Sequence, residues 1–140
     1  MKRTIILVAF AAVAIGSMPG LAAAQQQPPA AANQSPTIKR TPLQKYDVPG
    51  APIETVLGIA EIVPDVLIGR HTHPGMEGGY VLEGELVLMI DGQAPKTLKA
   101  GDSYQIPLEA IHDAKSGPSG AKVLAVYVVR KGEPLASPAK

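Results

Sequence analysis

Residues 71–84 read HTHPGMEGGYVLEG, and the spacing inside this stretch decides what kind of chain this is. His71 and His73 stand two apart, Pro74-Gly75 follows as a turn signal, and Glu77 comes next. On a strand, alternate side chains share a face, so the two imidazoles project together. On a helix the same spacing would set them about 200° apart, so the pair makes sense only on a strand. After the turn, Glu77 can return a carboxylate to the same side. The chain has three histidines in all, and the third, His112, follows GDSYQIPLEAI at 101–111. A closed barrel can bring that position back to the first pair. Three imidazole nitrogens with one carboxylate oxygen suit a divalent transition metal (Fe, Mn, Ni, Cu or Zn) and disfavour Ca and Mg, which want mostly oxygen.

Outward from this stretch, apolar β-formers come in short bursts separated by Gly, Pro and Asp. They predict strands over 56–63, 66–73, 79–82, 85–90, 96–98, 103–106 and 122–130. Pro64-Asp65, Pro74-Gly75, Glu83-Gly84, Asp91-Gly92, 100–102 and 116–120 supply the turns, Asp91-Gly92 being the strongest hairpin signal. No segment beyond residue 24 keeps a 3.6-residue apolar period, so the expected class is all-β, a sandwich or barrel. AKVLAVYVVRK at 121–131 is nearly all apolar, which implies burial on both faces, a subunit interface and a homodimer.

The two ends read differently. Lys2-Arg3, an apolar run at 5–15 and small residues ending Ala22-Ala23-Ala24 form the layout of a secretory signal peptide over 1–24. The run is too short to span a bilayer comfortably, so the expectation is export to a periplasm or the medium, with no membrane partner after cleavage. Residues 25–42, rich in Gln, Pro and Ala, read as a disordered linker, and 132–140 as a disordered tail. The folded domain is then 43–131. Without Lys2 and Arg3 the chain carries 11 basic against 12 acidic residues and offers no footprint for nucleic acid. Four Tyr, one Phe and no Trp leave little for stacking on bases. The absence of Cys excludes disulfides and thiolate chemistry.

The stretch at 71–84 resembles the first motif of the cupin superfamily, H-x-H-x(3,4)-E-x(6)-G, with His71, His73, Glu77 and Gly84 in place. GDSYQIPLEAIH resembles the second, G-x(5)-P-x-G-x(2)-H-x(3)-N, with Gly101, Pro107 and His112 in place. Three positions depart from the pattern: Asp65 and Glu109 stand where glycines are expected, and Ser116 where an asparagine is. None is a metal ligand in the family. The resemblance implies a single cupin barrel (a double-stranded β-helix or jelly roll) of the small, exported bacterial kind, similar to quercetin-dioxygenase-like members. It also implies one metal ion held by His71, His73, Glu77 and His112.

By the same resemblance the expected function is a metal-dependent, dioxygenase-like enzyme using dioxygen on a small, mostly apolar chelating substrate, with decarboxylase and isomerase chemistry as relatives. The alternative is a periplasmic cupin that binds a metabolite or metal without turning it over. Glu77 and Glu109 are the candidate acids and bases, and Tyr80, Tyr104 and Tyr127 the candidate substrate-binding residues. Alternation turns Arg70 away from the pocket and gives the barrel a lining of Leu67, Val81, Leu86, Leu88 and Ile106 or their neighbours.

Overall fold

A computed structural model describes residues 37–140, and their regular structure is entirely strand. The expected signal peptide and residues 25–36 of the expected linker lie outside the described residues. In chain order the strands are β1 (Ile38–Asp47), β2 (Ile53–Ile62), β3 (His71–Thr72), β4 (Gly75–Ile90), β5 (Lys96–Lys99), β6 (Ser103–Ile106), β7 (His112–Arg130) and β8 (Ser137–Pro138). All pairings are antiparallel. The hydrogen-bonded path runs β1-β2-β7-β3-β8, while β4 pairs with β5, β6 and β7. β7 is thus shared between two sets of strands, and the sheet curls around one interior, as expected for a cupin barrel.

β4 and β7 pair from Gly75↔Val129 to Ile90↔His112, with register slips between Val81 and Glu83 and between Gly84 and Leu86. Sequence reading placed turns at Glu83-Gly84 and 116–120. Both strands instead run on through those points, and the slips absorb the bend. Gly84 sits at φ 72°, and a Cβ there would run into the Gly120 carbonyl, so only glycine lets the strands cross this closely. Either side of the slip, period-two alternation turns Glu77 and Val81, then Leu86, Leu88 and Ile90, inward. They join Leu98, Ile106 and Val123 in the core, where Leu98 and Val81 are fully buried. Each such aliphatic side chain stabilises the fold by roughly 1.5–3 kcal/mol.

Three boundaries differ from the sequence reading. β1 begins at Ile38, inside the expected linker, because Ile38 packs into the core at 3% exposure and the strand pairs with β2 from Ile38↔Ile62 to Asp47↔Glu54. The stretch 66–73 is strand only at β3, since Gly69 turns to φ 100° and Leu67 makes a single bridge to Lys115. The expected disordered tail is ordered: β8 pairs with β3, and Ala139 N–H donates to Arg70 O at 3.0 Å.

The departures from the family pattern keep its shape. Asp65 and Glu109 adopt φ 56° and 55°, the left-handed conformation a glycine would take without cost. Ser116, buried at 2% exposure, accepts from Val66 N–H at 3.0 Å and donates to Val63 O at 2.7 Å, tying the loop down.

Candidate metal centre

Antiparallel register sets His71 of β3 directly opposite His112 of β7. Their ring centroids lie 4.2 Å apart, and His73 completes the triangle at 4.9 Å from His71 and 5.1 Å from His112. One ring nitrogen from each lies within 4.8 Å of the others, so the three histidines are positioned to bind a metal ion. Each Nδ1 faces a backbone carbonyl: Gly69 at 2.8 Å for His71, Leu135 at 2.6 Å for His73 and Ala110 at 2.9 Å for His112. A carbonyl only accepts, so each Nδ1 carries the proton and each Nε2 is left with a lone pair. Burial, ahead of all other causes, lowers the pKa of His71 and His112, which keeps both rings in the neutral, ligating form.

Glu77 enters from β4, 6% exposed, with Oε2 at 2.8 Å from His73 Nε2 and 3.7 Å from His112 Nε2. The first separation is a hydrogen-bond length, yet His73 Nε2 is a buried polar atom with no hydrogen-bond partner. With its proton on Nδ1, that nitrogen can only meet the carboxylate lone pair to lone pair. A cation between them satisfies both. Ligands about 2.1 Å from one ion at right angles stand about 3 Å apart, so the residues present fit a divalent metal. The other oxygen, Oε1, accepts from the Tyr104 hydroxyl at 2.8 Å. Gly79 makes room for this contact: it lies opposite Tyr104 in the β4–β6 register, and a Cβ there would overlap the phenol ring. Burial and then the Glu77 charge hold the Tyr104 hydroxyl protonated, well above the usual phenol range. Tyr127, stacked edge-on at 4.8 Å from the His73 ring, is raised in the same direction by burial.

Beside this cluster lies an interior cavity of about 50 Å³. Ile38, Ile62, Leu86, Leu88 and Ile106 give it apolar walls, and His71, His112, Glu77, Tyr104 and Tyr127 face it. Leu86, Leu88 and Ile106 line it as the alternation predicts. Leu67 is 59% exposed and Ile68 takes its place, because the turn at Gly69 breaks the alternation; Val81 belongs to the core. Tyr104 and Tyr127 reach the site, but Tyr80 is 46% exposed on the outer face, one residue out of phase with Gly79. Glu109, expected as an acid or base at the mouth, does not line the cavity. Its left-handed turn points it outward, to Arg130 Nη1 at 2.6 Å. Arg70 hydrogen-bonds Asp91 through both Nη atoms, at 2.8 and 2.7 Å, in line with its reading as a surface residue.

Two features were missed from sequence. Arg40 of β1 lines the cavity, hidden by the assignment of 25–42 to a linker. The tail supplies the Leu135 carbonyl that orients His73. Arg130 bridges Glu133 at the root of that tail (2.6 Å) and Glu109 in the loop whose Ala110 carbonyl orients His112. One guanidinium therefore clasps the two segments that aim two of the three imidazoles.

A family model described as "Cupin domain" matches residues 58–129. The dimethylsulfoniopropionate lyase DddW of Ruegeria pomeroyi is 39% identical over 72 residues, 51% of this chain and 47% of that protein. The chain thus spans about half the length of the lyase it matches. Among solved structures, KdgF from Halomonas sp. superimposes with a TM-score of 0.58 at 19% identity, over 70% of this chain and 84% of that one. The dimethylsulfoniopropionate lyase DddQ from Ruegeria pomeroyi gives a TM-score of 0.55 at 20% identity, over 61% and 43%. At such identities these structures speak to the fold.

Proposed function

The chain belongs to the cupin-domain family, and from that premise we propose a metal-dependent enzyme that takes a proton from a small substrate, with lyase-type elimination as its reaction. The observation that carries this is the convergence of three imidazole lone pairs on the one carboxylate of the cavity, itself held by a protonated tyrosine. His71, His73 and His112 would hold the ion, with Glu77 Oε2 as fourth ligand, and the ion would supply Lewis-acid stabilisation of negative charge developing on the substrate. Among the described residues lining the cavity Glu77 is the one acid, so its carboxylate is the proton acceptor. Tyr104 fixes its orientation through Oε1, and the aliphatic walls exclude water. A cavity of about 50 Å³ holds a few water-sized groups, which fits a substrate with a short carbon chain.

The relative's name suggests the first compound to try. In dimethylsulfoniopropionate, the carbon next to the carboxylate would give its proton to Glu77. The C–H electron pair would become the new C=C bond, and the sulfur would leave with its bonding pair as neutral dimethyl sulfide, leaving acrylate. The protein, loaded in turn with Mn, Fe, Ni, Cu and Zn, is incubated with this compound and dimethyl sulfide is measured in the headspace. Metal-dependent release that Glu77→Gln abolishes is the expected result. No release with any of the five metals refutes this substrate for the reading.

A dioxygenase-like reaction is the second reading, favoured by the neutral three-imidazole set that suits Fe²⁺. Oxygen uptake with diketones and phenolics, in the absence of any elimination product, would select it. Saturable binding with no product in either assay would select the non-catalytic binder. Export to a periplasm or the medium, supported by the composition of residues 1–24, is part of the proposal and is checked by the N-terminal residue of the exported protein. So is a homodimer, supported by exposed Met76, Tyr80, Leu82 and Val128 on the outer face of β4 and β7. Sedimentation at micromolar concentration tests it.

A further inference from the structure

Barrel strands that face an apolar interior seldom carry a guanidinium inward, because desolvating it costs free energy unless an anion answers it. β1 does so. Its residues alternate, Ile38 is buried, and two positions on stands Arg40, paired in register with Ala60, itself paired with Val123. All four line the interior cavity, where Arg40 is the one cation among the described lining residues.

Arg40 also borders a second space. An outer cleft of about 310 Å³ is lined by Arg40, Ile68, Gly69, Arg70, His71 and the tail residues Ala136, Ser137 and Pro138. Arg40, Ile68 and His71 border both spaces, so they frame the passage from solvent to the metal-binding histidines. The outer cleft has no acidic residue among its described lining residues. Its other cation, Arg70, already has both Nη atoms on Asp91. Inside, Glu77 has one oxygen on Tyr104 and the other against the histidines. The charge of Arg40 reaches the interior, where it acts on the Tyr127 hydroxyl against burial and Glu77.

We propose that Arg40 is a carboxylate-binding residue at the mouth of the barrel, and that the substrate is a short-chain aliphatic carboxylate entering through the outer cleft. This rests on the enzymatic reading above and deepens it. One planar fork of N–H donors matches one carboxylate in two parallel hydrogen bonds. A phosphate would call for further donors, and the neighbouring arginine is committed elsewhere. The apolar walls of the cleft, Ile68, Ala136 and Pro138, suit a few methylenes. Held this way, the chain carries its reactive carbon inward, toward His71 and Glu77.

Propionate and propionamide share shape and differ in charge, so they probe the subsite without turnover. The purified protein, metal-free and again zinc-loaded, is titrated with each and followed by amide chemical shifts. In the metal-free protein propionate is expected to bind at least tenfold more tightly than propionamide. Arg40→Gln is expected to erase that preference and Arg40→Lys, which keeps the charge and loses the fork, to retain part of it. Circular dichroism of each variant checks that β1 stays paired. Equal affinities for the two probes, no propionate binding, or propionate affinity in Arg40→Gln within twofold of the parent would each overturn the proposal. Charge-selective, Arg40-dependent binding in a protein that eliminates nothing would sink the lyase reading and leave the subsite standing. Turnover whose KM is indifferent to Arg40→Gln would do the reverse.

Discussion

Ending the chain at Gly132 removes the residues that lean on the metal-binding strand, and the loss can be worked out bond by bond. The truncation deletes the Leu135 carbonyl that accepts from His73 Nδ1 at 2.6 Å, the Glu133 partner of Arg130, the β8 pairing and the Ala139–Arg70 bond. The Arg130–Glu133 pair is about half exposed and contributes at most about 1 kcal/mol. One partly buried hydrogen bond adds about 1 kcal/mol, so the metal-free protein should lose about 1–2 kcal/mol and melt roughly 5–15 °C lower. The metal centre should suffer more. Without an acceptor on Nδ1, His73 no longer has its tautomer and ring plane set. Loss of such a support typically lowers metal affinity 10–100-fold, or about 1.4–2.7 kcal/mol. Competition for Zn²⁺ against a chromogenic chelator at neutral pH reads this directly. A second chain ending at Ala136 keeps Glu133 and Leu135 while losing β8, and should stay within about threefold of the parent. Unchanged affinity in the shorter chain, or an equal fall in both, would refute the role given to the Leu135 carbonyl.

Other outcomes follow from the same geometry. His71→Ala or His112→Ala should abolish zinc binding, and with it the rise in Tm, which for the parent at a hundredfold excess over Kd amounts to about 2.7 kcal/mol of stability. Tyr104→Phe removes the hydrogen bond to Glu77 Oε1 and should cut metal-dependent turnover about tenfold or more, with zinc stoichiometry near one equivalent by elemental analysis. Because burial lowers the pKa of His71 and His112 below the unfolded value of 6.5, the unfolded chain binds more protons in acid. The metal-free protein should therefore hold its full stability above pH 6.5 and lose it as pH falls below, and a flat Tm between pH 7.5 and 5.5 would contradict this. Asp65→Gly relieves a left-handed non-glycine residue and should stabilise the fold by about 0.5–1 kcal/mol, read as a few degrees in Tm.

The site was legible in proportion to how chemically rare its residues are. With three histidines in the chain, a pair at strand spacing and a third after a turn leave few arrangements, and the register His71↔His112 delivers the expected one. Glu77 was legible for the same reason. Tyr104 and Tyr127 were separated from Tyr80 only by strand phase, which the register slips in β4 obscure from sequence. β1 was not legible because one buried residue, Ile38, anchors a strand whose other nine are exposed. β8 has no buried residue at all, and its place is fixed by backbone bonds that composition cannot encode. Arg40 went unread for want of that strand, and Glu109 was misread because its left-handed turn aims it at Arg130.

A polypeptide is made from its amino end, and the acceptor for His73 arrives 62 residues after the ring it steadies. While the ribosome is still adding the final residues, His71, His73, Glu77 and His112 have all been made, yet His73 is free to present either nitrogen. A metal met at that stage finds a ring not yet committed. The centre takes its final form only once the carboxyl end has been released and has folded back across β3, so metal selection by the finished geometry is an event that follows synthesis and cannot accompany it.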